Sequence, residues 1–330
     1  MKKLFIALIA MLLVLAGCTG GASEKEIKLH RSYEAAHGDK AFTRVVVALD
    51  GDKILDVAID EFQVFDAGAM TAVPNTDGAF GAGFVAGKVL GSKFVNNEAY
   101  SKNMTEKGKA TKKLYENIGA IVAYAKGKTA ADLEKVVADN EAGKPVDAIS
   151  GSTLVDTVGY LQAIVNTIKN TKMVSSAKVA VDASKIVLGQ AVFAAHGDKS
   201  FADVVVAMAD GKVVVANIDE YQFVKGATGV PNSDKAFGEN YADAAAPLAS
   251  KLVNAEAYSK NMTDKGGATK TLVENFKAIE DYVVNKTVEE LTKLTTENPT
   301  GKPVDAISGS TLVDTSGYVN AIVEAAKAVK

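Results

Sequence analysis

Two patterns of apolar residues follow one another along the chain, and the pair occurs twice. Phe42 to Leu49 and Ile54 to Phe62 are runs rich in β-branched and aromatic residues on either side of Asp50-Gly51-Asp52-Lys53, a turn signal. Together they predict a β-hairpin, and Phe201 to Met208 with Val213 to Phe223 predict a second one. From Asn96 to Lys126 and from Asn254 to Asn285 the spacing becomes helical, broken by Gly108 and by Gly266-Gly267. Each pattern closes on a helix, because Leu154, Val158, Leu161, Val165 and Ile168 fall on one helical face. The predicted class is α+β, built twice, each copy opening with a hairpin and ending in a loop followed by a helix.

The two halves repeat in sequence as well as in pattern. Ala35-Ala-His37-Gly-Asp-Lys40 returns as Ala194-Ala-His196-Gly-Asp-Lys199, Val45 to Ala48 as Val204 to Ala207, and Ile59-Asp-Glu61 as Ile218-Asp-Glu220. Glu98 to Thr105 recurs unchanged as Glu256 to Thr263, and Gly143 to Thr157 recurs unchanged as Gly301 to Thr315. Position 153 therefore corresponds to 311, a spacing of 158 residues, which is the length of a domain rather than of a solenoid repeat. The expected organisation is a first domain over residues 27–170, a polar linker over 171–178 and a second domain over 179–330.

Ahead of the first copy, Lys2 and Lys3 precede an apolar run from Leu4 to Leu15 that is too short to anchor stably across a bilayer. Residues 1–17 thus have the form of a signal peptide. The run closes on Leu15-Ala16-Gly17-Cys18, which resembles a bacterial lipobox. That resemblance implies cleavage before Cys18, acylation of its thiol, and a protein held on the outer face of the cell membrane by lipid. Residues 18–26 are small and polar, as expected of a flexible tether. Cys18 is the sole cysteine, so no internal disulfide and no thiolate metal site can form. The formal charge of −3 becomes −5 once the two leader lysines are lost, which argues against a nucleic-acid partner.

The longest identity between the copies contains the candidate chemistry. Asp147-Ala-Ile-Ser150-Gly151-Ser152-Thr153 and Asp305-Ala-Ile-Ser308-Gly309-Ser310-Thr311 are small-residue loops ahead of the last helix of each copy. Unpaired backbone N–H groups and the helix dipole suit such a place to a phosphate, and glycine lets the backbone approach an anion closely. Helix capping by Ser150, Ser152 or Thr153 is the simpler alternative, although many other combinations would cap equally well.

The block resembles the flavinylation motif of FMN-binding domains, such as those of the Rnf electron-transport complex and the sodium-pumping NADH:quinone reductase. In that motif, Asp-x-x-Ser/Thr-Gly-x-Thr, an FMN transferase joins the FMN phosphate to the final threonine. The resemblance implies that Thr153 and Thr311 are the acceptors of two covalent FMN groups. It makes Asp147 and Asp305 the leading acidic positions and Ser150-Gly151 and Ser308-Gly309 the tight turns. Many members carry alanine where this chain has Ser152 and Ser310, each of which offers a competing hydroxyl.

A lipobox, a short tether and two such domains resemble the extracellular electron-transfer flavolipoproteins of Gram-positive bacteria. The function this implies is that of an electron carrier rather than a classical enzyme, taking electrons from a membrane quinone or NADH dehydrogenase system and passing them to ferric iron or another external acceptor. A solute-binding lipoprotein of a transporter is the alternative, and the leader could also yield a signalling peptide. Among other residues, His37 and His196 are expected as turn residues and His30 as a neighbour of the tether. Tyr100 and Tyr258, with Met104 and Met262, could meet a flavin ring or simply fill the core. Asp60-Glu61 and Asp219-Glu220 are expected as solvated strand ends.

Overall fold

The computed structural model describes residues 23–329; the leader, Cys18 and residues 19–22 of the tether lie outside the described residues. The described chain is a mixed α/β fold with two sheets. Strands β1 (Glu24–Glu34), β2 (Ala41–Asp50), β3 (Lys53–Asp66) and β4 (Lys88–Ser92) precede helices α1 (Asn97–Gly108), α2 (Leu114–Ala125), α3 (Ala130–Asp139) and α4 (Thr157–Lys169). After β5 (Val174–Ala180) come β6 (Val187–Phe193), β7 (Ser200–Ala209), β8 (Lys212–Phe223), β9 (Leu248–Ser250), α5 (Ala255–Gly266), α6 (Leu272–Val283), α7 (Val288–Glu297) and α8 (Thr315–Lys327).

The first sheet has the order β4-β3-β2-β1-β5 and the second β6-β7-β8-β9, with antiparallel pairing throughout. The β2–β3 turn puts Gly51 at positive φ, and the β7–β8 turn does the same with Asp210 and Gly211, as tight hairpins require. Helices α3 and α7 are additions to the expected pattern. A capping box starts each of them, Thr129 with Asp132 and Thr287 with Glu290, so the signal was present in the sequence.

Two expected boundaries fall differently. Residues 24–26 of the tether begin β1, and residues 174–178 of the linker begin β5, which pairs along the free edge of β1 from Glu24↔Ala180 to His30↔Val174. Val179 packs inside the core, and an edge strand that gains both ladder bonds and burial has no reason to remain a free connector. His30 accordingly sits within β1, buried beside the carbonyl of Asn170 at 3.0 Å.

Each sheet is covered on both faces. Val45, Val47 and Leu49 of β2 meet the helices, whereas Val46 and Ala48 meet the second sheet. The order of layers is therefore helices, sheet, sheet, helices. That explains why β2 and β7 are almost unbroken apolar runs, since neither face of either strand is left for water. Phe42, Phe62, Phe201 and Tyr221 join in one aromatic cluster between the copies. Loops cross as well: Phe80 N–H donates to Asp198 O at 2.8 Å, and its counterpart Phe237 N–H donates to Asp39 O at 2.9 Å.

Within this shared layer the copies are related but not identical. Arg44 and Asp203 occupy equivalent positions and bind each other, Nε to Oδ2 at 2.9 Å, while Arg31 reaches the same carboxylate oxygen at 2.8 Å. Burial alone would raise the Asp203 carboxyl, but the two guanidiniums hold it below the usual carboxylate range. Opposite charges at equivalent positions make the pairing of unlike copies specific.

A second asymmetry predicts a pH effect. Glu280 of α6, where the first copy has Val122, lines a cavity of about 250 Å³ beside β5 and accepts a hydrogen bond from Ile218 N–H at 2.9 Å. Burial pushes its carboxyl up to about 7. A carboxyl raised on folding contributes stability below its unfolded value, and that contribution is lost as pH rises through the folded one. Glu280→Gln should therefore gain on the wild type between pH 4.5 and 7 and hold a lead of about 1–3 kcal/mol at pH 8. Denaturant melts at pH 5 and pH 8 check this, and an equal difference at both would refute it.

Candidate functional site

The loop between α3 and α4 is pinned by its apolar residues. Val146 and Ile149 are buried and close a turn, Ile149 N–H to Val146 O at 2.9 Å, so Asp147, Ser150 and Thr153 face outward. In the second copy Val304 and Ile307 do the same at 2.8 Å and leave Asp305, Ser308 and Thr311 exposed. Gly151 has φ +105°, and a Cβ there would lie 3.2 Å from Ala120 Cβ; a Cβ on Gly309 would come within 2.6 Å of Ala278 Cβ. The loops thus lie flat against α2 and α6, and glycine is what permits it.

The threonines are held from below by an amide that sequence reasoning had not singled out. Asn117 Oδ1 accepts from Thr153 N–H at 2.6 Å and from Thr153 Oγ1 at 3.1 Å. Asn275 does the same for Thr311 at 2.7 and 3.2 Å. Both asparagines are buried, and each fixes its amide by donating Nδ2 to a backbone carbonyl of its own helix entry, Lys113 O or Thr271 O, at 2.8 Å. On the other side Lys112 Nζ donates to Gly151 O and Lys270 Nζ to Gly309 O, both at 2.6 Å. The signal for these residues was in the duplication: Ala110-Thr-Lys112 and Glu116-Asn117 recur as Ala268-Thr-Lys270 and Glu274-Asn275.

The loop does not run directly into the helix. Asp156 and Asp314 occupy the cap positions of α4 and α8, with neither side chain bonded to the first-turn amides. Ser150, Ser152 and Thr153 are thus not the caps. Ser152 and Ser310 are only 8% and 5% exposed and turn their hydroxyls inward to Thr157 and Thr315. Of the two hydroxyls in each Ser-Thr pair, only the threonine's belongs to an exposed residue.

The histidines do more than turn the chain. His37 Nδ1 lies 2.6 Å from Asp156 Oδ2 and His196 Nδ1 lies 2.8 Å from Asp314 Oδ2, tying the loop before β2 or β7 to the start of the last helix. A Cβ on Gly159 would lie 2.2 Å from Ala36 O, and one on Gly317 2.0 Å from Ala195 O, so close approach there demands glycine. The His37 loop is held in turn by the opposite copy, through Asn232 Nδ2 to Gly38 O at 3.0 Å; Asn75 Nδ2 does the same to Gly197 O at 2.8 Å. Each candidate site is braced by both copies.

The acidic strand ends are the reverse of solvated. Asp60, Glu61, Asp219 and Glu220 are all buried. Glu61 pairs with buried Lys93 at 2.8 Å and Glu220 with buried Lys251 at 2.5 Å, and Tyr318 donates to Glu220 at 2.8 Å. Burial opposes ionisation, yet Lys251 holds the Glu220 carboxyl below its ordinary value. Asp60 accepts from Ser92 Oγ and Phe94 N–H but is pushed by burial up to about 6. Their polarity suggested water, but fixed partners from the β3–β4 and β8–β9 edges replace it.

Tyr100 and Tyr258 belong to the same clusters, with Lys93 Nζ 4.4 Å and Lys251 Nζ 4.5 Å from the ring centroids. Their rings and Met104 and Met262 also pack on the helical cores. A cavity of about 300 Å³ opens beside Tyr258, Asn261 and Asn254.

No protein-family model, curated relative or solved structure matches the chain. The site offers an exposed threonine, an amide oxygen that accepts from its hydroxyl, and an ammonium on the carbonyl two residues earlier, in duplicate.

Proposed function

We propose that this protein is a lipid-anchored, extracellular electron carrier with two FMN groups, each bonded through its phosphate to Thr153 or Thr311. The observation that carries the reading is the pair of matching loops, each offering an exposed threonine whose hydroxyl donates to a buried asparagine, with a lysine bonded to the loop carbonyl two residues earlier. The donor set fits a phosphate ester: an alcohol to carry it, a cation on the same loop, and a glycine turn seated on the helix below. Thr153 and Thr311 would hold the group, with Asp147, Ser150, Gly151, Ser152 and their counterparts Asp305, Ser308, Gly309 and Ser310 forming the loop that an FMN transferase recognises.

Bound FMN would supply reversible one- and two-electron chemistry. The chain's own part is to keep the cofactor and present it. Outside the cell a flavin held by weak forces is lost whenever its dissociation constant exceeds the surrounding flavin concentration. A covalent ester escapes that dilution. Asn117 and Asn275 can accept the threonine proton's hydrogen bond but are no bases, so the hydroxyl stays a weak nucleophile and the transferase is needed.

The proposed partners are that transferase, a membrane quinone or NADH dehydrogenase system upstream, and ferric iron or another external acceptor downstream. Acylated Cys18 would hold the protein at the membrane. Made together with the transferase, the protein should be yellow and should carry two FMN units by intact mass; made without it, it should be colourless. A colourless protein of unmodified mass under both conditions would defeat the reading and favour a solute-binding role.

A further inference from the structure

We propose that Lys112 and Lys270 are the phosphate-binding cations of the two loops, acting by charge and not by tying the loop. The inference rests on the FMN reading and assigns residues that the threonine motif does not contain. Lys112 Nζ lies 2.6 Å from Gly151 O, and Gly151 is two residues before the acceptor, so their Cα atoms are about 7 Å apart at most. Its bond runs to a neutral carbonyl, so its charge is not cancelled there, and an ammonium has three donors to offer. The adjacent Lys113 is different: it pairs with Glu98 at 2.7 Å, and the second copy replaces it by Thr271. Of two neighbouring lysines, the one on the loop recurs and the one in the surface ion pair does not.

Within the seven-residue motif the only charged side chain is Asp147 or Asp305, and the loop's own lysines, Lys144 and Lys302, lie three residues ahead of it on the far side from the acceptor. A phosphodiester placed on Thr153 adds another negative charge, and Lys112 is positioned to offset it. The same charge serves the transfer step. Thr153 Oγ attacks the flavin-side phosphorus of a flavin nucleotide pyrophosphate supplied to the transferase. The new O–P bond forms as the bridging P–O bond breaks, and the departing nucleoside monophosphate takes the electron pair. The threonine proton passes to a base of the transferase, and nothing is oxidised or reduced. Lys112 stabilises the negative oxygens on the phosphorus, while Asn117 acts as a positioning residue that fixes the direction of the hydroxyl.

Glutamine separates charge from tethering, because its amide can still donate to Gly151 O while carrying no charge. In full-length Thr311→Ala protein, covalent flavin uptake from FAD with the transferase would be timed by intact mass for Lys112→Gln, Lys112→Ala and Lys112→Arg. Unchanged thermal midpoints would confirm the fold. Gln and Ala should load at least about tenfold more slowly than the parent, and Arg should recover most of the rate, because guanidinium keeps the charge. Lys270 variants in Thr153→Ala protein repeat the test on the other copy.

Gln loading as fast as the parent would overturn the proposal. So would slow loading with an unchanged ³¹P resonance of the phosphodiester in fully loaded Lys112→Gln protein, since the lysine would then act on the transferase instead. If the Thr311→Ala parent itself took up no flavin, the FMN reading would fail first. Loading of that parent with no effect of Gln would leave the reading intact and remove only the lysines.

Discussion

Thr153→Ala and Thr311→Ala proteins, each made with the transferase, are expected to carry one FMN instead of two, and the double variant none. Each ester adds the mass of FMN less one water, so the three species separate cleanly by intact mass. The structure sharpens the expectation at the competing serines. Ser152 and Ser310 are buried with inward hydroxyls, so neither should take over when its neighbour is lost. The double variant should remain folded, because the threonine N–H bonds to Asn117 and Asn275 persist. What it loses is an exposed hydroxyl bond, a cost of about 1 kcal/mol or less per site. Cells relying on it should lose the ferric reduction that depends on this protein. Covalent flavin in the double variant would show the acceptors to be misassigned. Full reduction without flavin would end the carrier proposal.

Asp203→Ala is expected to cost about 3–5 kcal/mol, a large share of the roughly 5–15 kcal/mol that holds a typical domain together. Asp203 Oδ2 binds both Arg31 and Arg44 in a layer closed to water, and its removal would leave two buried guanidiniums without their carboxylate. Remaining acceptors, Gln190 Oε1 at 2.6 Å from Arg44 and Tyr33 Oη at 3.2 Å from Arg31, are neutral. The loss should strike both copies in one transition, because Val46 and Ala48 of one sheet share a core with Val205 and Ala207 of the other. Denaturant unfolding followed by near-ultraviolet circular dichroism would measure it. A loss below about 1 kcal/mol, or two transitions of which only one moves, would show that the copies are separable after all.

The sequence alone determined much of this molecule, because its strongest signals are local or repeated. The hairpins follow from β-branched runs around Gly51 and Gly211, the last helices from one apolar face, and the loops from fifteen residues repeated without change. What the chain order could not give is which separated residues meet. Asn117 lies 36 residues from Thr153 and Lys112 lies 39 from Gly151, so the polar surroundings of the loop exist only once α2 packs beneath it. Asp60-Glu61 looked like a wet strand end because polarity predicts exposure; tertiary structure instead supplied Ser92 and Lys93 as partners and made burial affordable. Likewise 171–178 reads as a polar linker, yet the open edge of β1 and the apolar layer between the sheets draw most of it into β5. Propensity and pattern act over a few residues, whereas the covering of a second sheet face and the pairing of buried charges are settled only when distant segments meet.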